Sequence, residues 1–154
     1  SQNDLWALLR VRNELISLAV EAKAGEKLDD LVRDWLPKDN QRSRKPERLT
    51  SLKAWLGIPD TDVAHLRYQL LHRTASALKE AERFGAKMAL VLIHSFNRVA
   101  DEESWQDVLR FGEVMGVAIE EGSVALSPRP TTVPLFIGWV TSQPANLERL
   151  SAAV

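Results

Sequence analysis

Between Asp4 and Lys23 two apolar-rich stretches read with a period of two, separated at Arg12-Asn13. That period sends successive side chains to opposite faces and predicts two strands, Asp4 to Val11 and Leu15 to Lys23. Leu5, Ala7, Leu9 and Val11 fall on one side of the first, and Ile16, Leu18 and Val20 on one side of the second. Arg12-Asn13 is the expected two-residue turn, because Asn tolerates positive φ, although the Gly of the strongest hairpin signals is missing. A two-residue loop there sets Leu5 opposite Val20, Ala7 opposite Leu18 and Leu9 opposite Ile16, which makes one apolar face. In the same register Asp4 lands across from Glu21, with Cβ atoms about 5 Å apart. Two carboxylates so close are unfavourable unless a proton or a cation lies between them. Glu21 and Lys23, two residues apart, leave their strand on the same side.

Ala24-Gly25-Glu26 ends the alternation, and Leu28, Leu31, Trp35 and Leu36 predict a short amphipathic helix. Pro37 to Pro46 is polar and rich in breakers, hence a loop, and Glu47 to Leu56 predicts a helix stopped by Gly57 and Pro59. Asp60 or Thr61 is positioned to cap the longest helix, Asp62 to Phe84, which Gly85 terminates. Its buried stripe is Leu66, Leu70, Ala77, Leu78 and Ala81; Gln69, His72, Arg73 and Ser76 form a polar stripe beside it. Met88 to Ile93, a short unbroken apolar run, predicts a strand buried on both faces. A helix over Trp105 to Met115 and strands over Val117 to Leu126 and Val133 to Thr141 complete the order. A long helix between strands favours an α/β fold, a mixed central β-sheet flanked by helices on both faces.

The length of 154 residues fits a single domain over the whole chain, 1–154. Zero cysteines rule out disulfides and thiolate chemistry, and the absence of a signal pattern or an apolar run long enough to span a bilayer points to a cytoplasmic protein without a membrane partner. A net charge of −1 supplies no global attraction to nucleic acid, so any such partner needs a local basic surface. The densest basic cluster is Arg42, Arg44 and Lys45, either a solvated loop or a phosphate-contacting one. Three histidines and no cysteine make a zinc site improbable. His94 reads as a structural histidine before a catalytic base, Ser95 lacks a nucleophile elbow, and no phosphate-cradling glycine loop occurs.

Asp4, Glu21 and Lys23 remain: either an exposed charge cluster or a site for a hard cation with an adjacent ammonium. SQNDLW around Asp4 and AVEAK around Glu21 resemble the two motifs of the PD-(D/E)XK superfamily of restriction endonuclease-like nucleases. RYQLLHRTASALKEA, Arg67 to Ala81, is similar to the helix after the core strands in an uncharacterised bacterial branch of that superfamily. The resemblance runs loosely from residue 1 to about residue 96. It implies a restriction endonuclease-like core and divalent-metal-dependent hydrolysis of nucleic acid, DNA foremost, with Mg²⁺ or Mn²⁺ as cofactor. By position, Asp4, Glu21 and the Ala22 carbonyl bind the metal, Lys23 assists the water, and Gln69 or Arg73 is auxiliary. Asn3 stands where the family has Pro, and the helix and strand that usually precede the aspartate are absent from these residues. The resemblance therefore implies native sequence upstream of Ser1. Because the superfamily includes members without activity, a silent nuclease-like domain binding nucleic acid or a protein partner is the alternative. A homo-oligomer is compatible with either.

Overall fold

The computed structural model describes residues 4–36 and 43–142. Strands β1 (Leu5–Val11) and β2 (Glu14–Lys23) lead into helices α1 (Val32–Trp35), α2 (Lys45–Trp55) and α3 (Tyr68–Phe84). Strand β3 (Met88–Ser95), helix α4 (Glu102–Met115) and strands β4 (Ser123–Leu126) and β5 (Leu135–Thr141) follow. The fold is α/β, built on a five-stranded mixed sheet in the order β1-β2-β3-β5-β4. β2, β3 and β5 run parallel, and β1 and β4 are antiparallel edges.

The hairpin forms in the expected register, with Leu5 paired to Val20, Ala7 to Leu18 and Leu9 to Ile16. Arg12 and Asn13 both take positive φ, 47° and 68°, the type I′ turn whose twist matches that of the flanking strands. The two parallel crossovers proceed in the same direction across the sheet. If both are right-handed, their helices lie on one face. Burial agrees: Ser17, Ala19, Glu21 and Lys23 of β2, Ala89, Val91, Ile93 and Ser95 of β3, and Leu135, Ile137 and Trp139 of β5 are all buried. α3 lies over β2 and β3, and the Trp105 ring of α4 meets Trp139 edge-on at 5.2 Å between centroids.

This layering corrects three expectations, and the first is that helices lie on both faces of the sheet: they cover one. β3 is not buried on both faces; its residues alternate strictly between buried and half-buried. The apolar face of the hairpin is the more open one, with Leu5 53% exposed, while the face carrying Ser17, Glu21 and Lys23 lies beneath α3. Apolar spacing identifies which residues share a face but not which face a helix covers.

Boundaries also move. α3 begins at Tyr68, because Asp62 to Arg67 folds into a turn held against the chain around the start of α1. Val32 N–H donates to the Leu66 carbonyl, Tyr68 N–H donates to the Asp30 carbonyl, and Leu31 bridges Arg67. Asp62 accepts from Ala64 N–H in a local turn, so neither Asp60 nor Thr61 caps the long helix. α1 is a single turn, and α2 starts at Lys45 with Pro46 in its first turn, where a missing N–H costs nothing. β4 starts only at Ser123. Gly138 lets it approach β5, since a Cβ there would lie 2.4 Å from the Ser123 carbonyl oxygen. Among the described residues no helix is long and apolar enough to cross a membrane.

Candidate functional site

Glu21 and Lys23 emerge from the carboxyl end of β2 on the covered face, paired in register with Ile93 and Ser95 of β3. The crevice outside the carboxyl ends of parallel strands is where open α/β sheets place their ligands. Glu21 is 3% exposed and Lys23 4% exposed, so neither belongs to a solvated charge cluster. Glu21 Oε1 lies 3.0 Å from Lys23 Nζ and accepts from Gln69 Nε2. Its Oε2 accepts from Arg73 Nε at 2.6 Å, and Arg73 is itself 6% exposed. Gln69 and Arg73 stand four apart on α3, so one helix face brings both onto one carboxylate. The Gln69 carbonyl also accepts from Asp29 N–H at 3.2 Å, fixing the amide between the loop and Glu21.

Asp4 lies just before β1 and is exposed, and its Oδ2 accepts from the Ala22 N–H at 2.8 Å. The structure thus brings Asp4 and Ala22, and Glu21, Lys23, Gln69 and Arg73, to one end of β2. The Asp4 carboxylate is turned onto the strand backbone, whereas that of Glu21 is turned onto α3. Among the described residues no group of three or more His, Cys, Asp or Glu side chains is arranged around a metal position.

Of the basic cluster, Arg42 lies outside the described residues. Lys45 is committed to Trp35: its Nζ donates to the Trp35 carbonyl at 2.7 Å and lies 5.1 Å from the ring centroid. Arg44 is exposed and, with Glu47, Arg48 and Ser51, lines a cavity of about 360 Å³ on α2. His94 is on the opposite sheet face from Glu21, hydrogen-bonded to Ser142 Oγ at 2.7 Å and packed on Phe96, which fits a structural role. Ser95 is buried and donates to Asp101.

Periodicity does not reveal Asp101. It is 1% exposed and accepts from the Gly25 N–H at 2.7 Å as well as from Ser95, pinning the loop after Lys23 to the end of β3. Its only sequence signal is an acid just before a helix, and its side chain caps nothing there. His72, one residue before Arg73, stacks on Tyr68, which stacks on Trp35 at 3.9 Å. Burial, followed by the charges of Arg48, Arg73 and Lys79, lowers the His72 pKa to about 4, so the imidazole is neutral at physiological pH.

These features define an α/β domain whose first parallel strand, β2, ends in a buried carboxylate held by two cations and an amide. The chain belongs to the DUF6946 family, a domain of unknown function, whose model matches residues 1–144. No curated protein and no solved structure matches it.

Proposed function

We propose that this domain is a divalent-metal-dependent nuclease of the PD-(D/E)XK type that hydrolyses phosphodiester bonds of nucleic acid, DNA foremost. The supporting observation is that Glu21 meets Lys23, Gln69 and Arg73 at the carboxyl end of β2, with Asp4 on the Ala22 backbone beside it. Asp4, Glu21 and the Ala22 carbonyl would hold Mg²⁺ or Mn²⁺. The oxygen donors suit a hard cation, and a carboxylate oxygen has two acceptor positions. Among the described residues Glu21 Oε2 uses one, for Arg73, and Asp4 Oδ1 uses none. Bound there, the metal supplies charge neutralisation at the phosphate and a water of lowered pKa. Gln69 and Arg73 fix the rotamer of Glu21 so that its carboxylate is oriented before substrate arrives. Lys23 presents a compact ammonium to the attacking water and to charge developing on the phosphate. Arg44, exposed at the cavity on α2, would contact the nucleic-acid backbone.

A second reading rests on the same contacts. Both oxygens of Glu21 already lie against cations, so the cluster is also satisfied as a buried ion-pair network in a domain that binds without cleaving. Cleavage of duplex and single-stranded DNA in Mg²⁺ and Mn²⁺, beside binding of the same DNA in EDTA, separates the two. The nuclease reading expects metal-dependent cleavage that Lys23→Ala lowers about 100-fold or more, with DNA affinity changed only about twofold. Absence of cleavage, with a melting temperature indifferent to divalent metal, overturns it in favour of the silent domain.

A further inference from the structure

Beside the Glu21 cluster, the next stripe of α3 carries two buried polar atoms without a hydrogen-bond partner among the described residues: Tyr68 Oη and His72 Nδ1. Tyr68 is 6% exposed, and an unpaired hydroxyl at that depth costs about 1–3 kcal/mol unless something occupies it. The two side chains stand four apart on the helix with ring centroids 5.7 Å apart, nearly parallel. Tyr68 is locked from its other side by Trp35, which Lys45 holds through its carbonyl, so the hydroxyl has little freedom to turn towards water. The Arg48 side chain, exposed on α2, makes no ion pair among the described residues, yet its charge acts on both Tyr68 and His72. Arg73 and Lys79 add to the positive field at His72. At Tyr68 the Asp29 carboxylate opposes Arg48 but acts less strongly. Two buried neutral donors beside an exposed guanidinium match the needs of an oxyanion.

We propose that Tyr68 Oη, His72 Nδ1–H and the Arg48 guanidinium form a phosphate-oxyanion subsite that seats a backbone phosphate of the nucleic acid next to the Glu21 centre. The assignment of that phosphate to nucleic acid rests on the proposed function; the oxyanion chemistry of the subsite does not. Tyr68 and His72 each precede a residue that contacts Glu21, so the subsite and the centre are adjacent stripes of one helix. An anion here accepts from the hydroxyl and from the Nδ1–H tautomer of a neutral imidazole, with Arg48 closing over it. This subsite positions the strand and takes no part in bond cleavage.

The test uses the whole chain in EDTA, with inorganic phosphate and a short oligodeoxythymidylate as separate probes. Binding is followed by calorimetry and by the NMR signals of the His72 ring. The expected result is that both probes shift the His72 signals and that Tyr68→Phe and Arg48→Met each weaken oligonucleotide binding about tenfold. Tyr68→Phe retains the ring stack, so the fold is kept. The rise in melting temperature with Mg²⁺ should be unchanged in Tyr68→Phe, because the hydroxyl touches none of the residues at the Glu21 centre. A shift with phosphate but none with the oligonucleotide overturns the nucleic-acid assignment. No shift with either probe, or full affinity in both variants, overturns the subsite. A wild-type chain that binds the oligonucleotide through His72 but cleaves nothing supports the subsite while removing the nuclease reading.

Discussion

At the scale of single residues the decisive fact is that Glu21, Lys23 and Arg73 are buried together. Their mutual attraction is offset by the desolvation of three charges, so the network is poised: complete, it is tolerated, and broken, it is costly. Glu21→Gln leaves Lys23 and Arg73 at 4% and 6% exposure without their shared counterion. That variant is expected to lose about 3–5 kcal/mol in urea unfolding. Asp4→Asn, at an exposed position whose Ala22 N–H contact an amide oxygen can keep, should stay within about 0.5 kcal/mol of the parent. Equal losses in the two variants would contradict the division of roles between the acids.

His72 makes a second prediction at this scale. Its folded pKa of about 4 lies below the ordinary 6.5, so the unfolded chain binds the extra proton first as pH falls. The stability that depends on a neutral His72 is full above about pH 6.5 and is lost as pH falls towards 4. Since the ring is only half-buried, water screens the effect, and a loss on the order of 1–2 kcal/mol is expected. Glu102, held low by hydrogen bonds from Gln106 and Arg98, and Glu103, held low by its bond from Lys27, also lose stability on acidification, but only below their ordinary 4.5. Unfolding midpoints between pH 6.5 and 5 therefore isolate the histidine, and His72→Gln should flatten that part of the profile. An unchanged slope in the variant would show that the proton goes elsewhere.

At the scale of elements, the β1–β2 turn determines the register. A type I′ turn asks for positive φ at both central positions, and Arg12 pays the steric cost of a side chain there. Replacing the pair by Asn-Gly keeps the turn and removes strain, and is expected to raise stability by about 1 kcal/mol in denaturant titration. A decrease would mean that the Arg12 side chain contributes more than its backbone loses. α3 is the other decisive element. Its seventeen residues place the buried stripe on β2 and β3, and at its N-terminal end Gln69 and Arg73 on Glu21, with Tyr68 and His72 stacked on the next stripe. Starting the helix at Tyr68 sets Gln69 in its first turn, within reach of both Glu21 and the loop at Asp29.

For the molecule as a whole, the three parallel strands form the interior of the sheet and the antiparallel strands its edges. The helix-covered face holds the core, while the opposite face is half-exposed, with Leu5, Leu9, Val124 and Leu126 prominent at its edges. Amide exchange should follow this layering. Ala89, Val91, Ile93 and Ile137, buried between neighbours, are expected to exchange only through global unfolding, and Val124 and Leu126 on edge strand β4 through local opening. Equal protection on β4 and β3 would argue that something covers the edge in solution.

Local chemistry was enough to determine the hairpin. Alternation over two short segments and a turn residue tolerant of positive φ set the Leu5–Val20 register, and with it the placement of Asp4 across from the end of β2. The α/β class was equally legible, because a long amphipathic helix between apolar strands leaves few other arrangements. The residues around Glu21 were legible as a list, since Glu-x-Lys and the Gln69–Arg73 spacing are local. Their burial was not. Whether the polar or the apolar face of a strand lies under a helix depends on the direction of the crossovers, a property of the whole sheet. The start of α3 was hidden for the same reason: its first expected turn is drawn instead into backbone pairing with Asp30 and Val32, more than thirty residues away. The pinning of Gly25 by Asp101 and the stacking of Tyr68 on Trp35 likewise join distant segments, and only tertiary packing decides such meetings.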